Sequence, residues 1–414
     1  MYGLLGKSLS HSFSVTVHKM LNNNIDYRLF ETDNVGDFLK TRSFEGLNVT
    51  NPYKRAVIPY LDALAGSAEK TGTVNTIVND NGTLTGHNTD YLALLNLIDK
   101  HFPDDRKSKV SILGNGATMR SIKKALEASG FVDIAVYARN PKANEHPLST
   151  LDIDTEILIQ TTPVGMFPSN HDRLPVNPAD LKRLIFVFDV IYNPFKTHLL
   201  LECEALDIPF LNGLPFLFEQ AALSQLLFYG KEEPPTTEPQ LKAFERQYLN
   251  ICLIGLPFSG KSHYAKRLAG TLNREFADTD ALVEQKAGKK IETIFADHGE
   301  AYFRELEKSV VLEIAKKHGQ VIATGGGVVK DLNAIRALKQ NAVIVHLDLD
   351  TGLIDENKIR KRPLVQSLDD LAALKEKREV LYKTHADVTI RKDTMDETVI
   401  SKRIKEALDA YFSD

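Results

Sequence analysis

Gly255-Leu256-Pro257-Phe258-Ser259-Gly260-Lys261-Ser262 fits the pattern G-x-x-x-x-G-K-[ST] without a mismatch. Asn250 to Ile254 before it is a short apolar run, and His263 to Leu272 after it can form a helix. Strand, glycine loop and helix start together make a phosphate cradle. Glycines let backbone N–H groups close on phosphate, Lys261 reaches the terminal oxygens, and Ser262 can hold Mg²⁺. The bland alternative, a glycine turn with a chance lysine, does not account for both flanks. In small domains built on such a loop, the strand before it lies at the centre of the sheet and comes first in sequence. A second domain therefore begins near Tyr248, and the residues before it form a separate machine.

At 414 residues the chain exceeds one ordinary core, and about 150 residues per domain implies two or three. Hydrophobic residues make up 43%, charged residues 26%, and the net charge is -4. This reads as a soluble globular protein without the overall basic surface that holds nucleic acid. Cys203 and Cys252 each sit in apolar sequence without a partner at metal-ligand spacing, so buried reduced thiols in a cytoplasmic protein are expected. No apolar run approaches the length of a membrane span.

Tyr2 to Leu5 reads as a buried strand ending in a hydroxyl-rich loop, Gly6 to Ser14, ahead of a helix. Strand and helix signals alternate through Tyr27 to Glu31 and Val35 to Lys40. Four pieces then follow in order: the Ser12-Phe13-Ser14 loop itself, Asn48-Val49-Thr50-Asn51-Pro52-Tyr53-Lys54, Val74-Asn75-Thr76 and Asn88-Thr89-Asp90. Together they resemble the substrate domain of shikimate dehydrogenases, a likeness that covers roughly residues 1 to 230. The resemblance implies that Ser12 and Ser14 bind the substrate carboxylate. It likewise implies that Thr50, Asn75 and Asp90 hold ring hydroxyls, and that Lys54 and Asp90 form the catalytic pair. The chemistry agrees with those residue types, since hydride addition to a ring ketone builds negative charge that an ammonium can neutralise and protonate. Tyr91 stands where the family has glycine, so the cleft floor is expected to differ.

Lys109 to Leu113 is a strand feeding Gly114-Asn115-Gly116-Ala117, which opens a helix; only two glycines of a dinucleotide fingerprint are present. A second strand, Asp133 to Tyr137, ends near Arg139, where the cofactor ribose would lie. An acid there would read NAD, whereas a guanidinium grips a 2′-phosphate, so NADP(H) is expected. The resemblance places Gly114, Asn115, Gly116, Ala117 and Arg139 against that cofactor, Tyr192 facing the substrate, and Gln220 supplied to it by a helix crossing back. Lys231 to Pro239 carries three prolines among polar residues and reads as a linker.

Beyond the glycine loop, Asp278 and Asp280 sit at a strand end, spaced so that both can face the phosphate side, with a strand-end cap as the bland alternative. Tyr302 to Glu307 lies in a helix, Ile322 to Val328 runs into a triple-glycine turn, and Arg360 to Leu364 and Lys377 to Tyr382 complete the set. This segment resembles shikimate kinase throughout. By that resemblance Gly255, Ser259, Gly260, Lys261 and Ser262 bind ATP, Ser262 and Asp278 serve Mg²⁺, and Asp280 assists the attacking hydroxyl. Arg304 and Arg378 bind the substrate carboxylate, Gly326 offers a backbone N–H, and Arg362 closes on the transferring phosphoryl group. For Arg304 a helix-surface charge is the bland alternative. Leu353 to Asn357 lacks the arginine that relatives place against adenine.

The expected fold class is α/β. A substrate domain (1–100 with the return helix 214–230) and a Rossmann-type NADP domain (101–213) precede a linker (231–248). A P-loop kinase domain with a parallel sheet (249–414) follows. The expected function is NADPH-dependent reduction of 3-dehydroshikimate, then ATP-dependent phosphorylation of shikimate, in the cytoplasm without nucleic-acid or membrane partners. Two rivals are a dehydrogenase-like module that regulates the kinase without turnover, and quinate with NAD as the first half's chemistry. Oligomeric state is not legible.

Overall fold

The computed structural model describes residues 1–9, 12–231, 233–355 and 367–413. They form two compact units, Met1–Leu241 and Lys242–Asp414.

The first unit contains two sheets. One is built from β1 (Tyr2–Gly6), β2 (Tyr27–Glu31), β3 (Gly46–Val49), β4 (Ala63–Leu64), β5 (Thr76–Asp80) and β6 (Thr83–His87), in the order β2-β1-β3-β5-β6-β4. β1 pairs in parallel with β2 and β3, but β5 runs antiparallel to both β3 and β6. The sheet is therefore mixed. Asn81 and Gly82 have φ of 50° and 94°, the positive values a two-residue hairpin demands, and Asn-Gly adopts them at least cost. Behind this sheet, Asn48 Nδ2 donates to Ser224 Oγ at 2.7 Å and to Thr76 Oγ1 at 3.1 Å. That buried network docks the helix Gly213–Tyr229 onto the strands that carry the site.

The second sheet consists of β7 (Val110–Leu113), β8 (Ile134–Ala138), β9 (His146–Pro147), β10 (Ile157–Gln160), β11 (Phe186–Asp189) and β12 (Phe210–Leu211). Its order is β12-β11-β10-β7-β8-β9 and every pairing is parallel. Read from the other edge this is the doubly wound dinucleotide-binding order, with the strand order reversing between β7 and β10. Tyr91 belongs to the hydrophobic cluster of this unit with Leu94, Ile112 and Phe188. Asn88 caps the helix Thr89–His101, and Tyr91 falls on the helix face that packs into the core.

The second unit holds β13 (Asn250–Gly255), β14 (Phe276–Asp278), β15 (Val321–Ala323), β16 (Ala342–Leu349) and β17 (Val388–Lys392), ordered β14-β15-β13-β16-β17 and parallel throughout. β13, buried at every residue, is central. This matches its reading as the strand that feeds the glycine loop.

Residues 238–248, read from the sequence as linker, are helical. Prolines at 234, 235 and 239 drew the reading toward extended chain, yet Pro239 lies in the first turn, where its missing N–H costs nothing. Leu241, Phe244 and Tyr248 fall on one helical stripe, and Phe244 is 0% exposed. Lys242 Nζ donates to Ser413 O at 2.6 Å, and Arg246 pairs with Asp409, so residues 242–248 pack as part of the second unit.

Candidate active sites

In the first unit, the turn after β3 presents Lys54, whose backbone carbonyl accepts from Val74 N at 2.8 Å. Asp90 comes from the first turn of the helix that Asn88 caps. Lys54 Nζ lies 2.6 Å from Asp90 Oδ2, with side chains 13% and 8% exposed. Asn75 Nδ2 donates to Asp90 Oδ1 at 2.8 Å and to Thr89 Oγ1 at 2.9 Å, while its Oδ1 accepts from Thr89 N at 2.7 Å. Both carboxylate oxygens are thus engaged, and the lysine is aimed. A buried ion pair contributes little to stability because desolvation offsets attraction, so its value here lies in orientation.

Ser14 Oγ is 3.1 Å from Tyr27 Oη, which donates to Asn48 Oδ1 at 2.8 Å. Ser12 Oγ accepts from Ser14 N at 3.1 Å. Burial pushes the Tyr192 phenol above its ordinary range, opposed by a hydrogen bond with Ser12, so the structure brings these two expected site residues together. Thr50 N donates to Leu5 O at 3.0 Å. Gln220 Nε2 is turned to Leu217 O at 2.9 Å within its own helix.

At the sheet's reversal point Gly114 has φ 105°, and a Cβ there would sit 2.7 Å from Thr161 Oγ1, so only glycine fits. Gly116 precedes the helix Ala117–Ala128 without a side-chain cap, leaving its first N–H groups to a ligand. These features fit a dinucleotide. Arg139 is exposed just beyond β8. One neighbour escaped the sequence reading: Glu145 Oε2 accepts from Asn115 Nδ2 at 2.9 Å and from Lys142 N at 2.8 Å. Partial burial works to raise the Glu145 carboxyl, but these hydrogen bonds hold it below the ordinary value.

In the second unit Gly255 and Gly260 have φ of 145° and 87°. A Cβ on Gly255 would meet Leu347 O at 2.7 Å. Lys261 Nζ donates to Gly255 O at 2.9 Å and Leu256 O at 2.8 Å. The helix Lys261–Leu272 starts uncapped by any side chain, with Ser262 exposed in its first turn. The buried Ser259 Oγ has no hydrogen-bond partner among the described residues.

Asp278 and Asp280 do not share a strand face as their spacing suggests. The strand stops at Asp278, whose Oδ1 caps the next helix by accepting from Asp280 N at 3.0 Å, and Asp280 lies in that helix's first turn. A hydroxyl and a carboxylate oxygen are hard donors of the kind Mg²⁺ takes beside water and phosphate.

Arg304, 24% exposed, pairs with Glu307 at 2.6 Å and Glu300 at 3.0 Å. A Cβ on Gly327 would run into its guanidinium. Arg378 Nη1 and Tyr382 Oη both donate to Gly326 O at 2.7 Å. Arg304, Arg378 and the glycine turn thus converge, and Arg304 is no mere surface charge. Glu307, given no role from sequence, is buried; burial pushes its carboxyl up, Arg304 opposes this, and Asp280 adds to it. The i,i+3 spacing from Arg304 was its available signal. Arg362 lies outside the described residues.

Residues 4–77 match the family model for the shikimate dehydrogenase substrate binding domain, and residues 257–409 match that for shikimate kinase. A shikimate dehydrogenase (NADP(+)) of Clostridium beijerinckii is 33% identical over 239 residues, covering 53% of this chain and 88% of the relative. Among solved structures, a chorismate mutase/shikimate 5-dehydrogenase fusion protein from Clostridium acetobutylicum aligns at TM-score 0.55 and 29% identity, over 59% of this chain and 96% of that one. Shikimate 5-dehydrogenase from Thermus thermophilus in complex with NADP(H) and shikimate aligns at 0.53 and 26%, over 59% and 98%. The chain belongs to the shikimate dehydrogenase family and joins to it a shikimate kinase domain, the make-up of a bifunctional shikimate-pathway enzyme.

Proposed function

We propose that the first unit reduces 3-dehydroshikimate to shikimate with NADPH through Lys54 and Asp90, and that the second transfers phosphate from ATP to a shikimate hydroxyl through Asp280. The buried Lys54–Asp90 pair at 2.6 Å carries the reading. A module that only binds a ligand has no need of an ammonium aimed by a carboxylate that is itself held by Asn75. NADPH supplies the hydride. Lys54 donates the proton to the carbonyl oxygen as it becomes an alkoxide, and Asp90 keeps the ammonium oriented. Ser12, Ser14, Thr50, Tyr192 and Gln220 surround the acid, and Arg139 takes the cofactor's 2′-phosphate.

In the second unit Asp280 accepts the hydroxyl proton as the oxygen attacks the terminal phosphorus and ADP leaves. Arg304 and Arg378 hold the substrate carboxylate, and the glycine loop with Lys261 holds the phosphates. Mg²⁺, when bound, offsets phosphate charge; Ser262 and Asp278 would hold it with its waters. Substrate and NADP domains divide near residue 100 with the helix 213–229 returning, and 231–237 connect to the kinase. Among the described residues no helix is long and apolar enough to cross a membrane. Two buried thiols and small anionic substrates suit a cytoplasmic enzyme with no nucleic-acid partner.

Both activities should appear in one purified preparation. NADPH oxidation should require 3-dehydroshikimate, and ADP release should require shikimate. Ligand binding to the first unit without NADPH turnover would sink the dehydrogenase assignment.

A further inference from the structure

β17 reads Val388-Thr389-Ile390-Arg391-Lys392, and alternation places Val388, Ile390 and Lys392 on one face. That face is the core face: Val388 and Ile390 pack with Tyr264 and Leu347. A lysine there is out of pattern, since its charge is expensive to desolvate. Lys392 is nevertheless 5% exposed, while its neighbour Arg391 points to solvent.

The ammonium is directed at the glycine loop. Lys392 Nζ donates to Ser259 O at 3.2 Å and lies 5.5 Å from the centre of the Tyr264 ring. It would be 3.5 Å from a Cβ on Gly260. Burial lowers its proton affinity, and Glu397 partly restores it. Glu397 is itself taken up by His263 at 3.0 Å and Arg267 at 3.8 Å. Lys261 already holds the carbonyls of Gly255 and Leu256. Two ammonium groups therefore hold three carbonyls of one short loop whose N–H groups are the anion-binding element.

We propose that Lys392 is a nucleotide-positioning residue: by clamping the Ser259 carbonyl it keeps the glycine loop in the form that presents its N–H groups to the phosphates of ATP, and it adds a second positive charge beside them. The inference rests on residues 255–262 being the ATP-phosphate loop. It concerns a residue that no part of the glycine-loop motif contains.

The test uses the full chain and the variants Lys392→Met, Lys392→Gln and Lys392→Arg. Lys392→Met should raise the KM for ATP and the calorimetric Kd for Mg-ADP about tenfold, the size of one charge-assisted contact. The KM for shikimate should stay within twofold, as should NADPH oxidation by the first unit. Lys392→Arg should recover most of the ADP affinity and Lys392→Gln little of it. Unchanged ADP affinity in Lys392→Met would overturn the inference, as would both kinase KM values rising together with a lowered melting temperature. If Lys392→Met fails to fold, equal ADP affinities in the Gln and Arg variants overturn it, and a clear gap between them supports it. Absence of ADP binding by the unsubstituted protein would instead overturn the reading of the loop, and this inference with it.

Discussion

Asn75 holds Asp90 from behind: its Nδ2 donates to Oδ1 at 2.8 Å, on the carboxylate whose other oxygen meets Lys54 at 2.6 Å. A charge-assisted hydrogen bond of this kind is worth roughly 1.5–3 kcal/mol. Asn75→Ala should therefore lower dehydrogenase kcat/KM by about 10- to 150-fold, with kinase turnover unchanged. An effect below threefold would show that Asp90 is oriented by Lys54 without the amide.

Independence of the two sites follows from their separate residue sets. Lys54→Ala should cut dehydrogenase turnover by ~10² to 10⁴ and spare the kinase, and Asp280→Asn should do the reverse. Steady-state assays of both reactions on each variant decide this. Loss of both activities in a folded variant would contradict it.

The proposed role of Arg139 in cofactor choice can be tested directly. Arg139→Ala should raise the KM for NADP about tenfold or more and leave that for NAD nearly unchanged, because only the 2′-phosphate uses the guanidinium. Equal changes for both cofactors would remove Arg139 from the role.

Phe244 tests where the kinase unit begins. It is 0% exposed and stacked on Tyr248 with ring centroids 4.3 Å apart. Phe244→Ala should destabilise the second unit by about 3–5 kcal/mol. Thermal unfolding followed by kinase activity should shift downward, while the transition followed by NADPH oxidation stays in place. A kinase fragment starting at residue 249 with full stability would contradict this.

His18 makes the first unit acid-sensitive. It is fully buried, stacked on Tyr27 with centroids 3.9 Å apart, and burial lowers its pKa from 6.5 to about 3. The fold holds it neutral. Its contribution is fully present above pH 6.5 and is lost as pH falls from there toward 3, because only the unfolded chain takes up the proton. Relative to His18→Phe, the native protein should lose about 1.4 kcal/mol per pH unit below that point. Denaturant unfolding at pH 7 and pH 5 would expose the difference, and parallel stabilities for both proteins would refute it.

Contiguous features were legible without a structure. The glycine loop was legible because its glycine conformations and its own lysine, Lys261, all lie within residues 255–262. The substrate motifs were legible as short contiguous pieces, and one of them, Asn88-Thr89-Asp90, is a helix start that brings its own cap. The Asn81-Gly82 hairpin and the Leu241-Phe244-Tyr248 stripe were also present in the sequence, but alternating elements and a proline run nearby drew the reading elsewhere.

What depended on strand order was not legible. Lys392 meets Ser259 across 133 residues, and Ser224 meets Asn48 across 176. Nothing local in either segment distinguishes a buried partner from a surface side chain. Asp278 and Asp280 show the same limit at short range. Two residues apart they would share a strand face, but the strand ends at Asp278, whose Oδ1 caps the next helix. Sequence by itself determined which chemical groups each domain owns, because propensity, caps and glycine conformations act over a few residues. Tertiary structure alone decided which of those groups are desolvated and face one another, because burial and strand neighbours are properties of the closed sheet.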